Sequence, residues 1–228
     1  MLVSYTLSKI ISDTNGTGWS GTESRSLNTE NRGLEKAISP VDRTHNLITN
    51  WIYELPVARG ATGITGKLLG GWGTGLTTTY TSGAPLRIAG GPPLPIFNGV
   101  PNRPNRVAGA SRRTAVSPGA FDPAKDLYLN ISAFSQPVPF TFGDVGRVEP
   151  DLRGFTLWNE DVALFKRTFI PSISEQFNVE FRAEFFNIFN RVVFTDPAVN
   201  VNTPASFGRV SGQRNEPRNI QFMIRISF

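Results

Sequence analysis

Cysteine is absent from the 228 residues, and histidine occurs once, as His45. The first absence excludes a disulfide framework and any thiolate metal site. The second leaves too few imidazoles for a zinc centre or a histidine-based catalytic site. No stretch approaches the roughly 20 consecutive apolar residues that a spanning helix requires. That excludes a helical membrane protein and leaves β-barrels open, because they cross with strands. The formal charge is +5, yet the cations are scattered among Asp and Glu and form no block. Nucleic-acid binding needs a clustered electrostatic footprint, so this charge argues against it. Gly70-Gly71-Trp72-Gly73 is followed neither by Lys-Ser/Thr nor by a helical pattern, which excludes a phosphate loop. There is no Gly-x-Ser-x-Gly elbow either. Glu180 and Glu184 share one strand face, about 13 Å apart along an extended chain. Glycosidase pairs use roughly 5–9.5 Å. The chain is therefore not expected to be an enzyme or to need a cofactor.

What is present points to strands. The chain has 22 Gly, 17 Pro and 17 Phe, a balance that suits an all-β chain with long loops. The clearest alternation runs from Asn219 to Phe228. Ile220, Phe222, Ile224, Ile226 and Phe228 share one side; Asn219, Gln221, Arg225 and Ser227 share the other, with Met223 the apolar exception. Period two with one apolar and one polar face marks a strand between two environments. Its length matches the roughly 9–11 residues of a tilted transmembrane strand. Phe177–Phe189 repeats the pattern: Phe177, Val179, Phe181, Ala183 and Phe185 outward, Asn178, Glu180, Arg182 and Glu184 inward. Such a charged face is costly in a closed soluble core and natural in a hydrated lumen, where Glu180, Arg182, Glu184 and Arg225 can pair across strands.

Four further strands are expected. Val3–Lys9 alternates from the outset, with Val3, Tyr5 and Leu7 on one face. Arg43–Leu55 places Leu47, Thr49, Trp51, Tyr53 and Leu55 opposite Asn50 and Glu54, with Ile48 and Ile52 breaking the pattern. Trp72–Tyr80 sets Trp72, Leu76 and Tyr80 against Gly73, Gly75, Thr77 and Thr79. Leu157–Phe169 shows Trp158, Val162 and Leu164 together. Trp51, Tyr53, Trp72 and Tyr80 suit an aromatic girdle at a membrane interface. Glycines on the inner face suit a curved sheet. Six antiparallel strands in an up-down meander follow. Their connections alternate long (11–42, 81–155, 190–218) and short (near 57–70 and 170–176), the asymmetry of outer-membrane barrels. Turn signals mark the first long loop at Thr14-Asn15-Gly16-Thr17-Gly18 and the first short turn at Arg59-Gly60-Ala61-Thr62-Gly63. In the longest loop Phe134, Phe140 and Phe142 are expected as anchors. Arg103, Arg106, Arg112 and Arg113 are expected to be solvated or to bridge Asp122 and Asp126, with an anionic ligand as the alternative.

Several segments resemble TonB-dependent outer-membrane transporters. They are Ser4-Tyr5-Thr6-Leu7-Ser8-Lys9, Asn50-Trp51-Ile52-Tyr53-Glu54-Leu55-Pro56 and Thr79-Tyr80-Thr81-Ser82-Gly83-Ala84-Pro85. Asn102-Arg103-Pro104-Asn105, Phe142-Gly143-Asp144-Val145-Gly146-Arg147 and Val162-Ala163-Leu164-Phe165-Lys166 add to them, as do the Phe181–Asn190 run and Phe207-Gly208-Arg209. The closest likeness is to the Oar-like branch, whose members carry an N-terminal carboxypeptidase-regulatory-like domain. The resemblance implies the C-terminal part of a barrel of about 22 strands. No basic and apolar leader precedes Leu2, and neither a TonB box nor a plug is present, so the sequence reads as the tail of a longer receptor. The implied partners are outer-membrane lipid, the remainder of the same receptor, the barrel-assembly machinery, and TonB through the N-terminal part; the implied location is a Gram-negative outer membrane.

The rival class is a secreted or surface β-sandwich that binds or adheres. Partitioning into detergent rather than buffer separates the two. The resemblance also implies that Ile220, Phe222, Ile224, Ile226 and Phe228 are read by the barrel-assembly machinery. Phe228→Asp in the intact receptor should lower its outer-membrane level; unchanged levels would sink that assignment.

Overall fold

The structure is a computed structural model that describes residues 1–13, 26–28, 30–58, 60, 63–94, 102–114, 116 and 120–228. The turn signal at 14–18 and part of that at 59–63 lie outside them. Six long strands form one antiparallel sheet: β1 (Leu2–Leu7), β2 (His45–Glu54), β3 (Trp72–Thr81), β4 (Leu157–Phe169), β5 (Asn178–Phe186) and β6 (Asn219–Ser227). Their spatial order is their chain order, an up-down meander, and the sheet stays open with β1 and β6 at its edges. All six expected strands are present, with ends shifted by up to three residues. The largest shift is at the end of β5, where Asn187 and Asn190 adopt φ of 50° and 51° and turn the chain out of the strand.

The pairing joins every expected face in phase. Trp51, Leu76, Val162, Phe185 and Ile220 form one continuous cross-strand row. Glu54, Gly73, Phe165, Arg182 and Met223 form a row on the opposite face. Ile48 and Ile52 fall on that inner face, opposite Thr79 and Gly75. Gly73 has a steric reason. The Phe165 ring lies over it, and a Cβ at Gly73 would meet Phe165 Cζ at 2.3 Å.

One connection departs from expectation. Residues Gly63–Leu69, within the first short turn, form a helix, α1. Its glycines hide it from a propensity reading.

The hydrophobic core lies outside the sheet. Among the described residues, Ala183 is the only buried apolar residue on the six strands. The remainder belong to the three long connections, which leave the same end of the sheet and fold into one cap. Leu86, Ile88, Leu129, Phe134, Leu152 and Phe207 are at its centre. Phe121, Tyr128, Phe155 and Phe194 pack beside them with ring centroids 4.5–5.9 Å apart. Short ladders pin the chain: Ile11–Ser12 with Ala37–Ile38, Pro85–Leu86 with Glu149–Arg153, and Asn105–Arg106 with Phe134–Ser135. Gly208, at φ 76°, lets the third loop approach Leu129, where a Cβ would come within 2.5 Å of the carbonyl oxygen.

Of the expected anchors, Phe134 is in this core and Phe142 packs against Leu27 and Leu94. Phe140 is not an anchor: it sits at φ 64° with 76% of its surface exposed. Phe207→Ala should cost the cap about 3–5 kcal/mol. Limited proteolysis should then cut the long loops while the strands stay protected.

Candidate functional site

The inner wall carries a run of charges fixed by strand register. Arg167 on β4 stands opposite Glu180 on β5 and donates to Glu180 Oε2 from Nη2 at 2.7 Å and Nε at 3.1 Å. Arg182 Nη1 lies 3.9 Å from Glu180 Oε1, and its Nε lies 2.8 Å from Glu184 Oε1. The Nε angle makes this last contact an ion pair rather than a directed hydrogen bond. Gln221 Nε2 on β6 donates to Glu184 Oε2 at 2.8 Å. Arg167, Glu180, Arg182, Glu184 and Gln221 thus form a chain across three strands. Three expected lumen residues are in it; Arg167 and Gln221 complete it. Arg225 faces Glu180 in backbone register but, among the described residues, forms no ion pair; Arg167 is the cation bonded to that carboxylate. Alternation could place Arg167 on this face, but only the β4–β5 register makes it the partner of Glu180.

The opposite face is apolar and uncovered. Tyr5, Trp158, Phe222, Ile224 and Ile226 are between 47% and 69% exposed. A soluble protein does not leave so continuous an apolar sheet face to water. Among the described residues no second sheet packs on it. Apolar outside and ion-paired inside is the section of a transmembrane barrel wall.

Residues 1–221 match the family described as outer membrane beta barrel domain. The chain belongs to that family. Its place is the outer membrane of a Gram-negative bacterium. No curated protein and no solved structure gives a significant match.

On this barrel domain the four expected interface aromatics separate. Tyr80 lies at the cap end, edge-on to Trp158 at 5.9 Å. Trp72 lies at the short-turn end, where Nε1 donates to the Leu68 carbonyl at 3.2 Å. Trp51 and Tyr53 stack on each other at 5.6 Å between them. At the cap end Arg191 forms a two-point pair with Glu160, at 2.8 and 2.9 Å. Its guanidinium also lies 4.8 Å from the Trp158 ring and 5.3 Å from Phe189.

Above the wall, the cap is tied by buried ion pairs. Arg103 pairs with Glu35 at 2.5 Å. Glu149, with no exposed surface, is held by Arg106 at 2.7 Å and by Arg112, which also reaches Asp151. Arg113 donates to the Arg153 carbonyl and lies over Tyr128. Of the two expectations for these arginines, the bridge to Asp122 or Asp126 is not formed by any of the four, and the Arg106 side chain is the one of the three ion-paired arginines that stays well exposed, at 43%. Asp122 pairs instead with Lys125, and Asp126 accepts from the Asp122 amide. Burial lowers the pKa of Arg103 and Arg113; the bond to Glu149 raises that of Arg106. Among the described residues no cluster of Asp, Glu or His could hold a metal ion.

Asp42 joins the first loop to the second. It accepts from Arg153 at 2.7 Å, the Ile10 amide at 2.8 Å and Thr44 at 3.3 Å. Burial pushes its carboxyl up; the Arg153 bond, the Ile10 amide, the Arg153 charge and Thr44 together outweigh this and hold it below the ordinary value. A depressed folded-state pKa contributes stability above the unfolded value that is lost as pH falls through the folded one. Protection factors for cap amides should therefore fall below about pH 4. Asp42→Asn should lower protection already at neutral pH and flatten that acid dependence.

Proposed function

We propose that this domain is the C-terminal wall and cap of a TonB-dependent receptor of the Oar-like branch, importing a solute by binding and transport rather than catalysis. The observation that carries the reading is the pairing of wall and cap. All three long connections leave one end of a sheet whose inner face is polar, and they pack into a single body over it. Closing a sheet around a hydrated lumen needs more strands than six, and the open edges at β1 and β6 are where they would join. Further strands and a plug come from the rest of the receptor, and TonB acts through the N-terminal part. The sequence resemblance supports the same reading.

Tyr80, Trp158 and Arg191 would mark the outer-leaflet boundary; Trp72, with Tyr53 nearer that end than Trp51, would mark the inner one. The outward residues of β6 would present the assembly signal. An antibody against a cap peptide should detect, in outer membranes of the native organism, a polypeptide well above 25.0 kDa. The immobilised periplasmic domain of TonB should retain it. Detection of a species near 25.0 kDa, or a larger one that TonB does not retain, would overturn the reading.

A further inference from the structure

Helix α1 is a poor helix in water. It has seven residues, two of them glycine, and is followed at once by Gly70 and Gly71. Isolated helices this short do not persist. One side of it, formed by Gly63, Gly66, Lys67 and Gly70, lines a cavity of about 440 Å³ against Phe165 and Arg167 at the end of the wall. At 100° per residue the other side carries Ile64, Leu68 and Leu69. These are 77%, 62% and 51% exposed, and among the described residues no other element covers them.

The helix is fastened to the outward face of the sheet. Trp72 and Lys166 are cross-strand neighbours there. Trp72 Nε1 donates to the Leu68 carbonyl at 3.2 Å, and Lys166 Nζ donates to the Gly70 carbonyl at 2.7 Å. Lys166 is thus a lipid-face lysine whose ammonium is drawn to the rim, where it meets the carbonyl end of α1. The C-terminal end of α1 is thus tied to two outward-face residues at the last row of the wall, its glycine side lies toward the inner-row residues Phe165 and Arg167, and its apolar side is left open.

We propose that α1 lies in the interface of the periplasmic leaflet, with Ile64, Leu68 and Leu69 inserted among phospholipid acyl chains just beneath the headgroups. The short-turn end is the periplasmic end in barrels of this kind, and a short apolar helix side lying in the membrane plane is an interfacial anchor. The inference rests on the bilayer contact of the outward face and not on transport.

This domain contributes no cysteine, so a single cysteine introduced in it is unique once any elsewhere in the receptor is replaced. Leu68→Cys, Phe222→Cys and Val138→Cys in the full-length receptor, each carrying an environment-sensitive fluorophore, are compared in phosphatidylethanolamine–phosphatidylglycerol vesicles. Nitroxide lipids labelled near the headgroup or near the chain terminus serve as quenchers. The Leu68 label should be quenched several-fold more by the headgroup-proximal nitroxide, the Phe222 label should be quenched by the deep one, and the Val138 label by neither. A Leu68 label as unquenched as Val138, with Phe222 still quenched, overturns the α1 anchor and leaves the bilayer contact intact. Shielding of the Leu68 label from both nitroxides and aqueous iodide means a protein partner covers it, and overturns the anchor as well. Loss of Phe222 quenching overturns both.

Discussion

Strand register is the constraint on which the rest of this molecule depends. Five antiparallel pairings hold six strands so that every outward residue meets an outward neighbour. A slip of one residue in any of them would exchange the two faces of a strand. In β5 it would turn Glu180, Arg182 and Glu184 toward lipid and Phe181 and Phe185 toward the lumen. A cation on the lipid face costs about 2–4 kcal/mol at the bilayer midplane. The same slip would break the contacts of Arg167 and Gln221 with those carboxylates. Lipid and lumen thus select one register from opposite sides.

That constraint explains where the core is. A wall one sheet thick, between lipid and a hydrated lumen, encloses no interior. Its strands hold one buried apolar side chain among the described residues, Ala183. Packing of the kind found in soluble domains is displaced into the loops. There Phe207, Leu129 and Ile88 are nearly inaccessible, and Glu149 and Asp42 have their charges fully enclosed by arginines and amides. Ordering connections this long costs chain entropy, and the apolar cluster and the arginine bridges offset it. The bridges from Glu35 to Arg103 and from Asp42 to Arg153 join the first loop to the second, and Phe207 and Val210 in the apolar cluster join the third.

The two ends of the wall are finished differently. At the cap end a charged pair, Glu160 with Arg191, is folded against Trp158 and Phe189, so that a carboxylate on the outward face is neutralised where the apolar band stops. At the short-turn end Lys166 donates to the Gly70 carbonyl, just past the end of α1. Both devices keep a charge on an otherwise apolar face without exposing it to the hydrocarbon.

The strands and their faces were readable from sequence because a strand between two solvents writes its environment at period two. Phe177 to Phe185 shows this residue by residue, and the loop-length asymmetry shows which end carries the long connections. The sequence could not show partners set by pairing between distant segments. Alternation leaves Arg167 without a role until β4 meets β5, and Arg103, Arg106 and Arg112, expected to be solvated or to bridge Asp122 and Asp126, reach Glu35 and Glu149 because the loop fold brings those carboxylates to them. Helix α1 was missed since its glycines argue for a turn, and only contacts to Trp72 and Lys166 hold it. Alternation, turn chemistry and apolar phase are local and survive in one dimension. Ion-pair partners, the displaced core and a helix of weak propensity are decided by what the tertiary fold brings within a few ångströms.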